Sequence, residues 1–468
     1  GVRPCGKNGG TMEKKLRFGE YITIASMLFG LFFGAGNLIF PASMGQLAGH
    51  NVWQAIGGFL ITGVGLPLLA VAALGVSRCG GLAELSSRVS RGYGMFFTCA
   101  LYLTIGPFFA IPRCATVSFT VGVQPLLGEQ QGAALPLLIF SLLFFGAALW
   151  FSLRPSNILT WVGKVLNPLF LACLGILVIT ALLRPAGAIS AVEPQGAYAA
   201  APFSTGFLEG YNTMDALAGL AFGIIVVNVV RGLGVRQPGA VAASTVKAGV
   251  FSSVIMAAIY IAITLVGAQS RGAYPASANG GEALAVIARH YFGTAGGLIL
   301  ALTVTFACLK TSVGLITSCG ETFKALFPGR FTYKVWAIGF CTVSFLIANV
   351  GLNAILNYSL PVLMFLYPLA ITLILLTLLG KVYQNDGRVY RWVTGFTLAA
   401  ALFDFAKALA GALPAAVSAA LHLDAAVEFA GRWLPLFGLG LGWVCPAAVG
   451  FVIGFVLHKT GRGAARAN

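Results

Sequence analysis

The chain has 468 residues, 58% of them hydrophobic and only 9% charged, with 29 Lys and Arg against 13 Asp and Glu for a net charge of +16. Soluble proteins carry roughly 25% charged residues, so this composition excludes a soluble globular enzyme, a disordered chain and a nucleic-acid binder. A mean hydropathy of +0.90 places most of the chain in lipid.

A membrane-spanning helix needs about 20 apolar residues. Stretches that meet this length run over residues 20–48, 53–76, 92–124, 133–152, 155–183, 207–230, 240–268, 292–325, 334–350, 352–380, 391–411 and 433–457. They predict one all-α polytopic domain of about twelve transmembrane helices over residues 18–459, with cytoplasmic tails at 1–17 and 460–468. No segment between them is long enough for a separate soluble domain. Several spans are longer than about 25 residues, which predicts tilt or breaks. Residues 1–11 precede Met12 and are left out of fold reasoning; the basic segment Glu13–Arg17 and the many spans after it do not fit a secretory signal peptide.

Cationic residues orient the helices. With the N-terminus in the cytoplasm, 22 of the 29 cations fall at cytoplasmic ends and 4 (Arg184, Arg271, Arg289 and Arg432) outside. Three lie inside spans: Arg113, Lys310 and Lys407. The topology thus accounts for the basic charge without a polyanionic partner. The nine Cys are scattered with no C-x-x-C, and His50, His290, His422 and His458 sit near segment ends, so neither a zinc site nor a redox motif is indicated.

The first span carries Gly34-Ala35-Gly36-Asn37, followed by Pro41. Gly costs about 1 kcal/mol in a helix interior and Pro about 3. A break at membrane depth survives only where protein or a wet cavity satisfies the freed backbone groups. It presents a half-helix N-terminus to a carboxylate and unwound carbonyls to a cation. The alternative is a close small-residue helix crossing. In the third span, Pro107 and Pro112 predict kinks, and Arg113 follows. The sixth span has a second interruption over Met214–Gly223, with Gly219 and Gly223 next to Asp215. Interruptions at corresponding positions of two halves point to an inverted-repeat transporter, with repeats at about 18–184 and 205–381 and two extra helices over 391–457.

In the eighth span, the adjacent hydroxyls of Thr311 and Ser312 offer oxygens to a small hard cation; each could instead bond the carbonyl four residues back. Asp215 reads as a coupling acid or as a charge partner of Arg113 or Lys310. Asp404 and Lys407 have the i, i+3 spacing of a local ion pair. The stretch 280–290 lies outside as a candidate lid, and Glu321 reads as solvated. A channel would need a filter motif or charged rings and an intramembrane enzyme a catalytic constellation; the sequence has neither.

With GAGNLIFP over 34–41, DALAGLAFG over 215–223 and CLKTSVGLITS over 308–318, the chain resembles the branched-chain amino acid:cation symporter family, the bacterial system II carriers. Tyr102–Pro107, Ala110–Arg113 and Pro155–Asn157 also look typical of it. The likeness runs from about Phe18 to about Lys459 and implies the LeuT-type five-plus-five inverted-repeat fold. It further implies sodium-driven uptake of leucine, isoleucine and valine by alternating access in a bacterial cytoplasmic membrane, with no organic cofactor. Carried over residue by residue, Gly34, Ala35, Gly36 and Asn37 would hold the substrate's charged groups. Leu217, Ala218 and Phe222 would line its side-chain pocket, and Phe222 and Gly223 match the sixth-span break. Gly30, Phe33 and Cys308 would give carbonyls, and Thr311 and Ser312 hydroxyls, to Na⁺. Lys310 departs from the uncharged residue expected there. It would replace the sodium ion and favour proton coupling, or turn away to pair with an acid, or sit harmlessly near a wet vestibule.

Overall fold

The computed structural model describes residues 16–34, 36–127, 132–154, 171–235 and 237–467. Among these it is all-helical, and every predicted span coincides with a helix, although residues 155–170 of the fifth, with Pro155–Asn157, lie outside the described residues. Among the described residues, eight stretches are long and apolar enough to cross a membrane, joined by the shorter apolar helices Leu171–Leu183, Tyr333–Ala348 and Val444–Thr460.

The first span is α1 (Phe18–Phe32) and α2 (Gly36–Ala48), separated at the expected glycines. The second is α3 (Val52–Leu60) and α4 (Leu66–Ser77), joined by a π-turn over Ile61–Gly65. After the short α5 (Leu82–Ser86), the third is α6 (Arg91–Leu103) and α7 (Ala110–Gly122). The turn between them, Thr104–Phe108, leaves helical geometry at Gly106, just before Pro107, as the sequence predicts. Next come α8 (Ala134–Leu153) and α9 (Leu171–Leu183). The short α10 (Ala197–Ala200) leads into the sixth span, α11 (Pro202–Glu209) and α12 (Asp215–Gly232). Then follow α13 (Pro238–Ser270), α14 (Gly280–Leu326), α15 (Tyr333–Ala348), α16 (Leu352–Leu379) and α17 (Gly387–Ala412). Gly293, at φ 60°, bends α14 between an outer segment from Gly280 and the eighth span.

Two expectations change. The last span begins at Val444 rather than 433, because Pro435 and the left-handed Leu436 and Gly440 interrupt the chain. Residues ahead of it form α18 (Ala415–Ala420) and α19 (Leu423–Trp433), and the final helix is α20 (Val444–Ala467). Asp404 and Lys407 do not pair. Lys407 Nζ donates to the carbonyls of Phe437 and Gly438 at 2.9 and 3.0 Å. The loop ahead of α20 thus takes the ammonium that the spacing assigned to Asp404.

Lipid supplies no hydrophobic force between helices, so close packing of small residues joins them. A Cβ on Gly45 of α2 would strike the Thr264 carbonyl of α13, and one on Gly267 would strike the Ala42 carbonyl of α2. Gly58 of α3 meets the Phe203 carbonyl of α11 in the same way, and Gly206 meets the Ala55 carbonyl. These crossings fix α2 of the first span and α11 of the sixth against their neighbours. On the side predicted to be cytoplasmic, Arg88 donates to the Ser77 carbonyl at 2.6 Å, to Asn385 Oδ1 at 2.9 Å and to the Tyr390 hydroxyl at 3.0 Å. Nearby, Arg388 and His458 hold Asp386, and the Arg388 guanidinium keeps that carboxyl below the usual carboxylate range.

Gly267→Val should therefore separate α13 from α2. We expect a loss of about 3 kcal/mol or more from overpacking against backbone, seen as a lowered Tm of the detergent-purified protein. Gly395→Ala, where a Cβ meets nothing within 4 Å, should leave Tm unchanged.

Candidate functional site

The break in the first span is held by one side chain. α1 ends as Phe33 turns extended at φ −74°, ψ 105°, with its N–H still bonded to the Phe29 carbonyl. The next amide, Gly34 N–H, would complete the helix on the Gly30 carbonyl; it donates instead to Asn37 Oδ1 at 2.7 Å. The Gly30 carbonyl thereby loses its helical donor. Ala35 lies outside the described residues. Asn37, 1% exposed, uses its Nδ2 on Asp215 Oδ2 at 2.6 Å and on the Tyr260 hydroxyl, which itself donates to Asp215 Oδ2 at 3.0 Å.

Asp215 is the first residue of α12. The sixth span breaks just before it, at a short 3₁₀ turn over Gly210–Thr213 and at Met214, whose left-handed φ of 63° reverses the chain. Thr213 Oγ1 accepts from the Asp215 N–H at 3.3 Å and caps the new helix. The expected break at Phe222 and Gly223 is therefore displaced: α12 is continuous through both. Gly219 and Gly223 serve helix packing instead. A Cβ on Gly219 would lie 3.0 Å from Ala70, and one on Gly223 3.0 Å from Leu74, both on α4.

Arg113 of α7 completes the arrangement. Its guanidinium is buried, lies 5.1 Å from the Phe40 ring centroid and donates to the Asn212 carbonyl at 2.6 Å and the Thr213 carbonyl at 3.5 Å. It satisfies carbonyls freed at the sixth-span break. It also explains Gly36, where a Cβ would lie 2.8 Å from Arg113 Nη2. Asp215 and Arg113 do not form the ion pair considered from sequence, because each is already held by other partners.

Together these groups line a cavity of about 50 Å³ with Gly34, Gly36, Ala218, Phe222 and Thr311. Leu217 is fully buried and outside the lining, as is Gly223. Tyr102, missed in the sequence, braces the apolar wall: its hydroxyl donates to the Ala221 carbonyl at 2.9 Å and its ring packs edge-on to Phe222. Tyr260 was missed as well, since a lone Tyr in an apolar span carries no local signal.

The sodium candidates divide. Thr311 faces the first-span break, with Oγ1 3.9 Å from the Cβ position of Gly34, while bonding its own Ala307 carbonyl at 3.1 Å. Ser312 Oγ is buried without a hydrogen-bond partner among the described residues. Cys308 is buried beside Cys114 of α7. Lys310 does not turn away to an acid. Its Nζ lies 3.9 Å from the Cβ position of Gly30, and among the described residues no ion pair holds it. The outer segment of α14 packs on α2, where a Cβ on Gly280 would strike the Ile39 carbonyl. Glu321 is exposed.

Two solved transporters share this architecture. The nucleobase-cation-symport-1 family transporter Mhp1, closed around bromovinylhydantoin, matches with TM-score 0.58 at 16% identity over 98% of this chain and 96% of its own. A mutant of the Eremococcus coleocola manganese transporter matches with TM-score 0.58 at 14% identity over 96% and 98%. The fold is thus of the LeuT type, all-helical among the described residues, with breaks in the first and sixth spans. The family described as branched-chain amino acid transport protein matches residues 18–461, and the chain belongs to it. Among its relatives, the branched-chain amino acid permease BrnQ of Lactobacillus delbrueckii subsp. lactis is 54% identical over 94% of this chain and 97% of its own. BrnQ of Bacillus subtilis (strain 168) is 44% identical over 95% and 98%. BrnQ of Escherichia coli (strain K12) is 38% identical over 96% and 98%. The protein is a transporter and not an enzyme.

Asn37→Ala should free the Gly34 amide and remove one of the two donors on Asp215. Hydrogen bonds to charged groups are each worth about 1.5–3 kcal/mol, so we expect a lowered Tm together with lost substrate binding. Asn37→Asp, which keeps an acceptor for Gly34 but sets two carboxylates together, should not restore binding.

Proposed function

We propose that this protein imports leucine, isoleucine and valine across a bacterial cytoplasmic membrane by sodium symport through alternating access, with both termini in the cytoplasm. The observation that carries the reading is the break at Gly34, which opens a half-helix N-terminus at Gly36, diverts the helical donor of the Gly30 carbonyl to Asn37 and sets Thr311 of the eighth span beside Gly34. The names of the relatives supply the substrate class.

The α2 N-terminus brings amides at Gly36 and Asn37 and the positive end of a helix dipole to the cavity, a site for the α-carboxylate. The wall by Ala218 and Phe222 is apolar and takes an aliphatic side chain. Such a wall separates ligands that differ by one methylene by only about 1–3 kcal/mol, so one carrier serves all three amino acids. Sodium wants hard oxygen ligands. The reading assigns it the freed Gly30 carbonyl, the Phe33 and Cys308 carbonyls, and the hydroxyls of Thr311 and Ser312; it is supported by the oxygen chemistry of this set and by the buried Ser312 Oγ, which has no hydrogen-bond partner among the described residues. Burying that hydroxyl without a partner costs roughly 1–3 kcal/mol, which an ion would offset.

A second reading has its own observation. The Lys310 ammonium beside Gly30 puts a fixed cation next to a proposed sodium ligand. A lysine that loses and regains its proton there would couple uptake to protons instead.

Proteoliposomes separate the two. We expect [³H]leucine uptake under an inward sodium gradient, blocked by excess isoleucine or valine and unaffected by a proton gradient alone. Thr311→Ala should raise the half-saturating sodium concentration about tenfold, equal to about 1.4 kcal/mol of lost ion binding. Proton-driven uptake without sodium, abolished in Lys310→Met, would overturn sodium coupling and establish the second reading.

A further inference from the structure

Arg113 and Asp215 are opposite charges in one cavity, each 3% exposed, and they do not pair with each other. Buried charges are costly unless paired, and intramembrane ones mark function. Their partners are incomplete. Both side-chain donors to Asp215, from Asn37 and Tyr260, converge on Oδ2, which leaves Oδ1 without a side-chain donor among the described residues. Arg113 has five N–H donors but spends them on two carbonyls, one at 2.6 Å and one at 3.5 Å, while Nε is buried with no partner. The holding contacts orient both groups and keep them from collapsing onto each other.

We propose that Arg113 and Asp215 are a charge clamp for the substrate zwitterion, in which Asp215 Oδ1 receives the α-ammonium and the Arg113 guanidinium receives the α-carboxylate. The inference rests on the reading that an amino acid binds at the two breaks, and adds that charged side chains select the zwitterion. The order of the charges follows from position. Arg113 touches the α2 N-terminus at Gly36, so guanidinium and helix dipole converge on one anion. Asp215, at the start of α12, lines the same cavity with its carboxylate held by Asn37 and Tyr260. The cavity between them is neutral in sum, so it favours a ligand that carries both charges over an anion or cation of the same shape. The remaining wall, with Phe32, Ile105, Phe222 and Leu315, is apolar and carries no competing charge. Lys310 is outside the lining, so the clamp and the coupling ion are separate questions.

The test uses three ligands on the purified full-length chain, by equilibrium binding: leucine, 4-methylpentanoate, which lacks the ammonium, and leucinamide, which lacks the carboxylate. Sites built to bond a polar group reject analogues that lack it strongly, so the wild type should bind leucine at least about 100-fold more tightly than either analogue. Asp215→Asn should lose leucine by about the same factor yet leave 4-methylpentanoate unchanged. Arg113→Gln should lose leucine and leave leucinamide unchanged, with partial recovery in Arg113→Lys. Size exclusion and Tm are read for every variant; where Asp215→Asn does not fold, Asp215→Glu takes its place with the same ligand pattern expected. The wild-type ratios stand apart from any folding defect. Analogues that bind within about threefold of leucine, or variants that weaken all three ligands equally, overturn the clamp while leaving the transport reading intact. A wild type that binds no branched-chain amino acid overturns the substrate instead. The clamp is then judged on whichever zwitterion of an amino-acid panel binds, and falls if none does.

Discussion

Backbone polar groups at membrane depth must find partners inside the protein, and this constraint organises the rest of the site. Unwinding the first span at Gly34 frees an amide, and Asn37 Oδ1 takes it. Unwinding the sixth at Met214 frees carbonyls, and Arg113 takes two of them. Neither repair is confined to its own helix. Asn37 reaches from the first break to Asp215 at the second, and Arg113 of the third span bonds the second break while packing on Gly36 at the first. The two breaks are therefore one cooperative unit. Displacing any of these side chains exposes a backbone group that cannot turn to water, which is why irregular backbone at this depth is confined to functional cavities.

Glycine serves two different purposes along the chain, and the difference marks what could be read from sequence. The first break was legible because Gly34, Gly36 and Asn37 combine backbone freedom and a polar side chain within four residues; Pro41 lies inside α2 and does not end it. The sixth-span break was misplaced because Gly219 and Gly223 look alike on paper, yet they let α12 approach α4. The true interruption at Met214 has no glycine at its turning point; a non-glycine residue holds a positive φ there, a rare and costly state that only tertiary contacts maintain. The length of the spans was legible, since lipid thickness sets it. The Lys407 contact to the Phe437 and Gly438 carbonyls was not, because it depends on a loop about thirty residues away that bends back at Leu436 and Gly440. Tyr260 was hidden for a similar reason: its partners, Asn37 and Asp215, lie on two other spans.

The eighth span shows how far a composition of hydroxyls determines an ion site. Thr311 bonds its own Ala307 carbonyl, which is the local habit of Thr in a helix, and still faces the first break with its methyl and hydroxyl. A threonine hydroxyl donates one bond and keeps two lone pairs, so the contact to Ala307 uses its proton and leaves an acceptor for a cation. Self-bonding and ion ligation are thus compatible in Thr311, and the self-bond orients the lone pairs. Ser312, one residue on, is among the buried hydroxyls that have no hydrogen-bond partner among the described residues. The same helix turn carries Lys310 towards Gly30. Lys310 and Thr311 therefore present one cation and one neutral oxygen to the end of α1 and the break after it, whereas Ser312 lies by Cys114 of α7.

The size of the cavity adds a constraint on how the site works. About 50 Å³ holds a few water molecules, less than an isobutyl side chain with its amino-acid head group requires. Admission of such a ligand demands that the walls part. The contacts that close the cavity are unequal. On the α4 side, Gly219 and Gly223 seat α12 closely against small and aliphatic residues, a rigid junction. On the other side, the cavity is closed by the segments around Gly34 and Met214, the two places where the backbone has already left helical geometry. Expansion at these breaks changes few helical hydrogen bonds, whereas expansion along α12 would break a packed seam. The same interruptions that supply binding groups are then also where the proposed carrier can move at least cost. Asn37, which bonds across both of them, would couple the two motions so that the halves open together.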